Sequence, residues 1–474
     1  MSLRPLAVDL DETLIPWDTA WENLRVIFFK TPKQIPELLR QILQGRAGLK
    51  YWLHKEAGMR ASAIPLRIEL EKIIRHEKTK GRAIHIISGA PQPLVNDLAR
   101  RLGLDIKAGH WGSSASFNLT TMKGVFILKK FGLKGYDYFG DCATDLPIFK
   151  GAKGGAIVGA RPDLIKKALR VNPRLKILYP MPSLTSSLLK ALRPHQWVKN
   201  LLLVVPLLSA HLFNQPIKWI YAFEGFLSFS FLSSAVYLLN DLNDLEEDRG
   251  HPQKKTRALA SGELKIFEAG VAAGFLLGVS LALAWILGQA FFLCSVSYLA
   301  MAISYNIWAK RKPGMDLIGL AAFYTLRILA GGAAVGIACS PWLLAYSTFI
   351  FLSLACVKRT SELIRLQEET QYWAAGRGYG VHDLGAMTSI GISSGVVSVL
   401  VAALYVTSQD VSILYHRPQA LFFLCPLLFY WVIRVWFKAL RGQMPEDPVL
   451  FALKDRASWL LLILVVLTGV VASG

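Results

Sequence analysis

Long apolar runs separated by short polar loops fill the chain from about residue 190 onward. Each run has a length near the 20 residues that an α-helix needs to cross a bilayer. The pattern predicts an all-α membrane bundle of about nine transmembrane helices over residues 181–474. The predicted spans are 197–214, 219–239, 266–287, 290–308, 316–337, 341–357, 387–407, 419–437 and 457–473.

The first 180 residues have a different pattern, in which short apolar runs ending in polar residues alternate with amphipathic helical segments. The runs begin at Leu6, Ala83 and Tyr136, and the pattern predicts a parallel α/β sheet with ligands at the carboxyl ends of its strands. A helix is expected over 124–131. Residues 15–80 have helical spacing and predict a helical cap between the first two strands. A basic, proline-containing connection over 160–190 places the domain boundary near Tyr179–Ser183.

Composition agrees with a membrane protein that carries a second, soluble domain. The chain has 474 residues, of which 53% are hydrophobic and 18% charged, against a globular norm of about 25% charged. The net charge of +20 comes from Lys and Arg spread among the short loops, which favours anionic lipid and phosphorylated substrates over nucleic acid. The five cysteines form no Cys-x-x-Cys pair, so neither a zinc site nor a disulfide framework is expected.

The basic loops also predict the orientation of the bundle. Lys and Arg are concentrated after the second, fourth, sixth and eighth predicted spans, and the alternate loops hold few. The positive-inside rule places the rich loops in the cytosol. No signal peptide precedes the first acids, so the α/β domain is expected on the same side, at the inner membrane, with an external C-terminus.

One acidic stretch lies where an apolar run ends and a basic segment begins. Asn240, Asp241, Asp244 and Asp248 fall within nine residues, and the three aspartates lie on one face of a helix at i, i+3 and i+7. Like charges in this arrangement repel, and a divalent cation removes the repulsion. Carboxylate oxygens suit Mg²⁺, which in turn binds phosphate or diphosphate.

The α/β part carries four ordered motifs that resemble those of the haloacid dehalogenase (HAD) superfamily. They are Asp-x-Asp-x-Thr from Asp9, then Ser88, Lys123, and Gly-Asp-x-x-x-Asp ending at Asp145. The resemblance implies a Rossmann-like α/β fold with a helical cap and phosphatase activity. Asp9 would be the nucleophile and Asp11 the general acid and base. Ser88 and Lys123 would bind the phosphoryl group. The implied Mg²⁺ ligands are Asp9, the Asp11 carbonyl, Asp141 and Asp145.

The membrane part resembles the UbiA-type intramembrane prenyltransferase superfamily, through the aspartate-rich stretch and the basic segment after it. The opening Leu192-Arg-Pro-His-Gln-Trp-Val-Lys-Asn-Leu201 resembles the polyprenyl-phosphate phosphoribosyltransferases (decaprenyl-phosphate phosphoribosyltransferases, DPPR synthases). Further resemblance to that family lies in Tyr305, Lys310, Asp316, Arg327-Ile-Leu-Ala-Gly331, Lys358-Arg-x-x-Glu362 and Asp455-Arg456. Quinone-type members carry a second cluster of two or more aspartates, whereas this chain has Asp316 alone there.

The resemblance implies transfer of a 5-phosphoribosyl group from phosphoribosyl diphosphate to a polyprenyl phosphate. Mg²⁺ on Asp241, Asp244 and Asp248 would stabilise the leaving diphosphate, and Asn240 would position the acids or a substrate hydroxyl. The α/β domain could then remove the 5-phosphate. The remaining candidates for substrate binding are Lys199, Lys255, Arg257, Tyr305, Lys310, Asp316, Lys358 and Arg359.

Two other functions stay open at this point. One is an aromatic or quinone prenyltransferase that uses a prenyl diphosphate and has a phosphatase attached. The other is a transporter or lipid-binding scaffold, which the position of the acids at helix ends disfavours. In every case membrane lipids surround the chain, and a homo-oligomer is compatible with the sequence.

Overall fold

The structure is a computed structural model that describes residues 3–43, 45–57, 64–370, 372–373, 377–445 and 447–473, without the side chains at 46, 47, 410 and 412. The chain forms two compact units. The first comprises Met1–Leu192 together with Tyr237–Ala273, and the second comprises Arg193–Val236 together with Gly274–Gly474. The aspartate-rich stretch therefore belongs to the same compact unit as the α/β domain.

A six-stranded parallel sheet forms the centre of the first unit, which confirms the predicted α/β fold. Its spatial order is β3-β2-β1-β4-β5-β6. The strands are β1 Leu6–Val8, β2 Ile84–Pro91, β3 Trp111–Ser113, β4 Asp137–Gly140, β5 Gly154–Val158 and β6 Leu175–Leu178. The central strands β1, β2 and β4 are buried almost throughout, because helices cover both faces of the sheet.

Nine α-helices accompany the sheet within residues 3–192 as described. They are α1 Thr19–Lys30, α2 Ile35–Leu43, α3 Arg46–Ala57, α4 Ile68–Thr79, α5 Gln92–Arg101, α6 Leu119–Phe131, α7 Leu146–Gly151, α8 Pro162–Val171 and α9 Leu184–Leu192. Helices α1 to α4 lie between β1 and β2, within the predicted cap at 15–80, of which residues 58–63 are outside the described part.

Two details of the predicted α/β domain differ from the structure. The helix expected over 124–131 begins at Leu119, so Lys123 lies inside α6 rather than before it. Asn118 caps this helix by accepting a hydrogen bond from the Thr120 backbone, which explains the earlier start. The sequence predicted strands β1, β2 and β4, but it did not predict β3, β5 or β6. Strand β6 follows α8 and ends immediately before the predicted boundary at Tyr179–Ser183.

The rest of the described chain is helical. Its α-helices are α10 Val205–Ser209, α11 Pro216–Asn243, α12 Leu245–Gly250, α13 Ile266–Leu287, α14 Gln289–Ile307, α15 Met315–Val335, α16 Pro341–Glu368, α17 Leu384–Val406, α18 Gln409–Leu414, α19 Leu424–Leu440, α20 Pro448–Lys454 and α21 Arg456–Ser473. Eight segments are long and apolar enough to cross a membrane. They contain α11, α13, α14, α15, α16, α17, α19 and α21, and they make this a multi-pass membrane protein.

The remaining predicted span, 197–214, is not one long α-helix. Residues Pro194–Val204 form a 3₁₀ helix, and α10 continues it for five residues. Pro206 has no backbone N–H to donate, and Lys199 and Asn200 are buried among polar partners, so an uninterrupted apolar helix does not form. At the rises of 3₁₀ and α-helix the two pieces extend about 30 Å, which matches the hydrocarbon thickness of a bilayer.

Helix α16 also differs from its predicted span, 341–357, because it continues to Glu368. Lys358 and Arg359 therefore lie within the helix instead of at its end. The 3₁₀ segment packs closely against α15, because a Cβ on Gly331 would overlap the Leu203 carbonyl oxygen. Only a glycine fits at that position without a shift of the backbone.

Candidate functional site

The four motifs of the α/β domain meet at one edge of the sheet. Asp9 directly follows β1, Ser88 lies towards the carboxyl end of β2, and Asp141 directly follows β4. Since β1 pairs in parallel with both β2 and β4, their carboxyl ends adjoin. All three side chains are buried, and acidic side chains such as those of Asp9 and Asp141 are almost never fully buried unless they are paired.

Lys123 from α6 links two of the acids at this edge. Its Nζ lies 2.5 Å from an oxygen of Asp9 and 2.8 Å from an oxygen of Asp145. Asp145 also accepts a hydrogen bond from the Tyr138 hydroxyl at 3.0 Å. Burial lowers the pKa of Lys123, but the two carboxylates outweigh burial and raise it, so the ammonium stays charged.

The turn after β1 holds the second acid of the first motif. The Asp11 carboxylate accepts hydrogen bonds from the Thr19 backbone at 3.0 Å and from its hydroxyl at 2.8 Å. Burial, together with the charge of Asp18, raises the pKa of Asp11 to about 7. A carboxyl group with that pKa can both donate and accept a proton near neutral pH.

The donor set at this edge fits a magnesium ion. Thr13 donates to an Asp141 oxygen at 2.9 Å, and the ligand atoms of Asp141, Cys142 and Asp145 lie within 4.8 Å of one another. Burial raises the pKa of both Asp9 and Asp141, because the crowded carboxylates have lost their water. A divalent cation would favour their ionised forms, and carboxylate oxygens are the ligands that magnesium prefers.

Sequence patterns did not identify Lys50, a cap residue beside the same edge. Its Nζ lies 3.4 Å from the Gly89 carbonyl oxygen and 3.4 Å from the Thr120 hydroxyl. Lys50 belongs to α3, so the cap supplies a cation next to residues Ser88 and Gly89 of β2. Its sequence neighbours are also basic and aromatic, and nothing in the pattern distinguishes it from an ordinary surface lysine.

The aspartate-rich stretch continues helically from α11 into α12. The Asp244 backbone N–H donates to the Asn240 carbonyl and that of Asp248 to the Asp244 carbonyl, both at 2.9 Å. One guanidinium nitrogen of Arg257 lies 3.1 Å from an Asp241 oxygen and 2.6 Å from an Asp248 oxygen. The two buried carboxylates thus converge on one cationic atom.

The Arg257 nitrogen lies between two of the three predicted metal ligands, in a position for which a divalent cation would compete. Burial raises the pKa of Asp248, and Arg257 opposes that rise. Arg257 was predicted to bind phosphate. The structure shows that it also pairs with two of the three predicted metal ligands.

Helix α12 is held against the cap helix α1 by ion pairs and an aromatic contact. Arg249 pairs with Glu22 at 3.0 Å, and its guanidinium lies 3.7 Å from the centre of the Trp17 ring. Glu246 pairs with Arg25 at 3.2 Å and also with Lys30. The sequence did not predict these contacts, because they join residues more than 200 positions apart.

A second polar cluster lies within the helical unit, around the buried Asp316 at the start of α15. Its carboxylate accepts two hydrogen bonds from Arg359, at 2.6 and 2.9 Å, and one from Arg377 at 2.9 Å. Tyr305 and Tyr379 donate to it at 2.6 and 3.1 Å. Asp316 therefore serves to hold two guanidinium groups, and the sequence had indicated neither Arg377 nor Tyr379.

Arg327 belongs to another buried network, as its place in an apolar run suggested. It donates to the Asn200 side-chain oxygen at 2.8 Å and to the Tyr298 hydroxyl at 3.0 Å. Lys199, next in the chain to Asn200, forms an ion pair with Asp447. Burial raises the pKa of Asp447, and the Lys199 ammonium more than offsets it, so the net shift is downward.

The other three predicted substrate ligands are lysines. Lys255 is exposed in a short 3₁₀ helix, Lys254–Thr256. Lys310 is half-buried in the 3₁₀ turn Ala309–Arg311, and Lys358 is half-buried in α16 beside Arg359. Their positions agree with phosphate binding and with the plain role of a basic residue near a membrane surface.

The chain resembles known proteins along almost its whole length. The model of the UbiA prenyltransferase family matches residues 202–454, more than half of the chain. Protein y4nM of Sinorhizobium fredii is 34% identical over 462 residues, which cover 96% of this chain and 88% of that protein. The decaprenyl-phosphate phosphoribosyltransferase of Mycolicibacterium smegmatis is 34% identical over 197 residues, 40% of this chain and 61% of the relative.

Solved structures resemble each part of the chain. A UbiA homologue from Archaeoglobus fulgidus bound to GPP and Mg²⁺ covers 60% of this chain and 99% of its own, at 18% identity and a TM-score of 0.45. A phospho-aspartyl intermediate analogue of phosphoserine phosphatase covers 38% of this chain and 94% of its own, at 19% identity and a TM-score of 0.28.

Proposed function

Because this chain belongs to the UbiA prenyltransferase family, we propose that it transfers a 5-phosphoribosyl group from phosphoribosyl diphosphate to a polyprenyl phosphate. The fused HAD-like domain then removes the 5-phosphate. The observation that carries the proposal is the compact unit in which the HAD-like motifs and the aspartate-rich stretch lie together. A chain that makes a lipid-linked phosphate ester has a direct use for a phosphatase built into the same unit.

In the transfer step, a lipid phosphate oxygen attacks the anomeric carbon of the ribose, the bond to the diphosphate breaks, and the diphosphate leaves. Asp241, Asp244 and Asp248 would hold Mg²⁺, which when bound would neutralise the charge on the leaving diphosphate. Arg257 pairs with two of these acids, and its guanidinium can donate hydrogen bonds to the diphosphate as negative charge develops on it. Lys199 and Lys358 are the cations that we assign to the lipid phosphate.

The hydrogen bonds of Asp316 favour a polyprenyl phosphate over a prenyl diphosphate as the lipid substrate. Its two oxygens already accept five hydrogen bonds from arginine and tyrosine side chains. A carboxylate held in this way is a poor ligand for a second metal ion, which a prenyl diphosphate would require. We assign Arg359 and Arg377, which Asp316 orients, to binding a substrate phosphate.

In the phosphatase step, an Asp9 oxygen attacks the phosphorus and forms an aspartyl-phosphate while the ribose 5-oxygen leaves with a proton from Asp11. Asp11 then takes a proton from the water that hydrolyses the aspartyl-phosphate. Ser88 and Lys123 hold the phosphoryl oxygens. Asp9, Asp141 and the Asp11 carbonyl would hold the Mg²⁺, with Asp145 orienting Lys123 or joining the set.

The orientation completes the proposal. Counting the 3₁₀ segment with α10 as a crossing, the eight long segments and this one give nine crossings. The HAD-like domain then shares the cytosolic side with the basic loops, where phosphoribosyl diphosphate is available, and the C-terminus is external.

Product analysis by mass spectrometry tests both steps. The purified protein is incubated with Mg²⁺, phosphoribosyl diphosphate and a polyprenyl phosphate. The wild type should yield lipid-linked ribose, and Asp9→Asn should accumulate lipid-linked ribose 5-phosphate. Asp163→Asn, which changes an exposed acid of α8, is the matched control and should behave as the wild type. A 5-phosphate that persists in the wild type would exclude the phosphatase step.

The transferase site has its own matched pair. Asp248→Asn changes a buried acid that pairs with Arg257, and Glu247→Gln changes its exposed neighbour. We expect the first substitution to abolish transfer and the second to leave it intact. If the wild type instead used a prenyl diphosphate and an aromatic acceptor, and ignored the polyprenyl phosphate, the chain would be an aromatic prenyltransferase with a phosphatase attached.

A further inference from the structure

The turn that carries Asp11 contains a residue in an unfavourable backbone conformation. Glu12 has a φ of 57°, in the left-handed region that side chains other than glycine rarely adopt. Its backbone N–H donates to the Trp17 carbonyl at 3.1 Å, and its carbonyl accepts from Arg67 at 3.2 Å. Such a conformation persists only where surrounding contacts hold it, and it is common at active sites.

The Glu12 side chain is held by a residue far away in the sequence. Its carboxylate forms an ion pair with the ammonium of Lys265, immediately before α13. Burial alone would lower the pKa of Lys265, but the charge of Glu12 outweighs burial and raises it. Lys265 lies within residues 202–454, the range matched by the UbiA family model.

Lys265 is itself fixed in place by its neighbours. Its backbone N–H donates to the Glu268 carboxylate at 3.0 Å, and that carboxylate also pairs with Arg161 of the α/β domain at 2.5 Å. The Trp21 and Phe267 rings lie 4.8 Å apart, centre to centre. The start of α13 is therefore attached to the α/β domain through several contacts between described residues, and the Lys265 pair reaches the catalytic turn.

Charge explains why the turn needs this cation. The Asp9, Asp141 and Asp145 carboxylates are crowded together at this edge, and the Glu12 carboxylate adds its negative charge to theirs. An uncompensated Glu12 would repel the other acids and the incoming phosphate. The Lys265 ammonium offsets that repulsion without touching the reacting atoms.

We propose that Lys265 is a positioning residue for the phosphatase step, which holds the Glu12 turn so that Asp11 keeps its position relative to Asp9. The phosphatase site is then complete only in the fused chain, because a residue of the UbiA-family region supplies part of its support. This inference rests on the proposed phosphatase activity, although not on the identity of the phosphate ester.

The test measures hydrolysis of p-nitrophenyl phosphate by the full-length protein. Lys265→Met should lower kcat about tenfold or more, as small misplacements of catalytic groups do, with KM changed by less than about twofold. Lys265→Arg should restore most of the rate. Lys190→Met is the matched control, because Lys190 also pairs with an acid of the same segment, Glu263, at 2.8 Å but lies outside the catalytic turn.

A double-mutant cycle with Glu12→Gln separates positioning from general loss of structure. If Lys265 acts through Glu12, Lys265→Met should cost little more once Glu12→Gln is present. The inference is overturned if Lys265→Met matches Lys190→Met, if the two losses multiply, or if the wild type hydrolyses no phosphate ester. Hydrolysis of the aryl phosphate but not of lipid-linked ribose 5-phosphate would refute the proposed function alone. The role of Lys265 would then still be decided by the rates of p-nitrophenyl phosphate hydrolysis in the variants.

Discussion

Replacing Asp316 by alanine should destabilise the helical unit severely. The side chain is fully buried, and it pairs with the guanidinium groups of Arg359 and Arg377. Arg359 is itself almost fully buried, so it would lose its bidentate partner without gaining water. Breaking a buried pair by removing one partner costs about 3–5 kcal/mol, and we expect the lower end of that range because Arg359 keeps its ion pair with Glu362 at 2.8 Å.

The assay is thermal unfolding of the detergent-solubilised protein, followed by tryptophan fluorescence. A loss of this size should lower Tm by roughly 10 °C. Glu369→Ala, which removes an exposed acid after α16, should change stability by less than about 0.5 kcal/mol. The double variant Asp316→Ala/Arg359→Met should be less destabilised than the sum of its parts, because both halves of the pair are gone.

A different outcome would identify another role for Asp316. If Asp316→Ala unfolds within about 2 °C of the wild type while transfer is lost, the carboxylate contributes to catalysis and not to the fold. The claim that Asp316 orients Arg359 and Arg377 would then be wrong, and a metal-binding role would regain support.

Three further predictions concern other contacts. Gly331→Ala should destabilise the helical unit by about 1–3 kcal/mol, because its Cβ would overlap the Leu203 carbonyl, whereas Gly274→Ala, at an open position, should not; thermal unfolding measures both. Arg257→Met should tighten Mg²⁺ binding in calorimetry by about tenfold, because the cation that competes for the acids is removed; weaker binding would contradict this. Lys123→Met should abolish phosphatase activity and lower the unfolding temperature, whereas an active variant would remove Lys123 from phosphoryl binding.

The sequence predicted which polar residues of the α/β domain lie at one edge of the sheet, and the reason is local. Asp9 and Asp141 directly follow buried strands and Ser88 lies within one, and parallel strands bring their carboxyl ends to one edge whatever the details of the helices. Only the spacing of the strands and the acids at their ends was needed. The predicted start of α6 was wrong because apolar periodicity does not detect the capping hydrogen bond that Asn118 accepts from the Thr120 backbone.

The partners in the membrane part could not be predicted in the same way. Arg377 and Tyr379 reach Asp316 from more than 60 positions along the chain, and their own neighbourhood has no apolar periodicity that marks them. The span 197–214 looked like an ordinary membrane helix because hydropathy averages over Lys199 and Asn200. Their buried ion pair and hydrogen bonds, which hydropathy does not measure, decide the local conformation.

The aspartate-rich stretch gives the strongest reason why the two proposed activities would share a chain. A free-standing transferase would need only its carboxylates and Arg257 at this place. Here the same segment also carries Glu246 and Arg249, which pair with cap helix α1, and Lys265, which pairs with the Glu12 turn. An isolated surface ion pair contributes little to stability, but several pairs on one segment fix its position together. The segment that would bind the diphosphate is therefore also a structural part of the phosphatase-like unit, and separating the two domains would remove contacts from both sites.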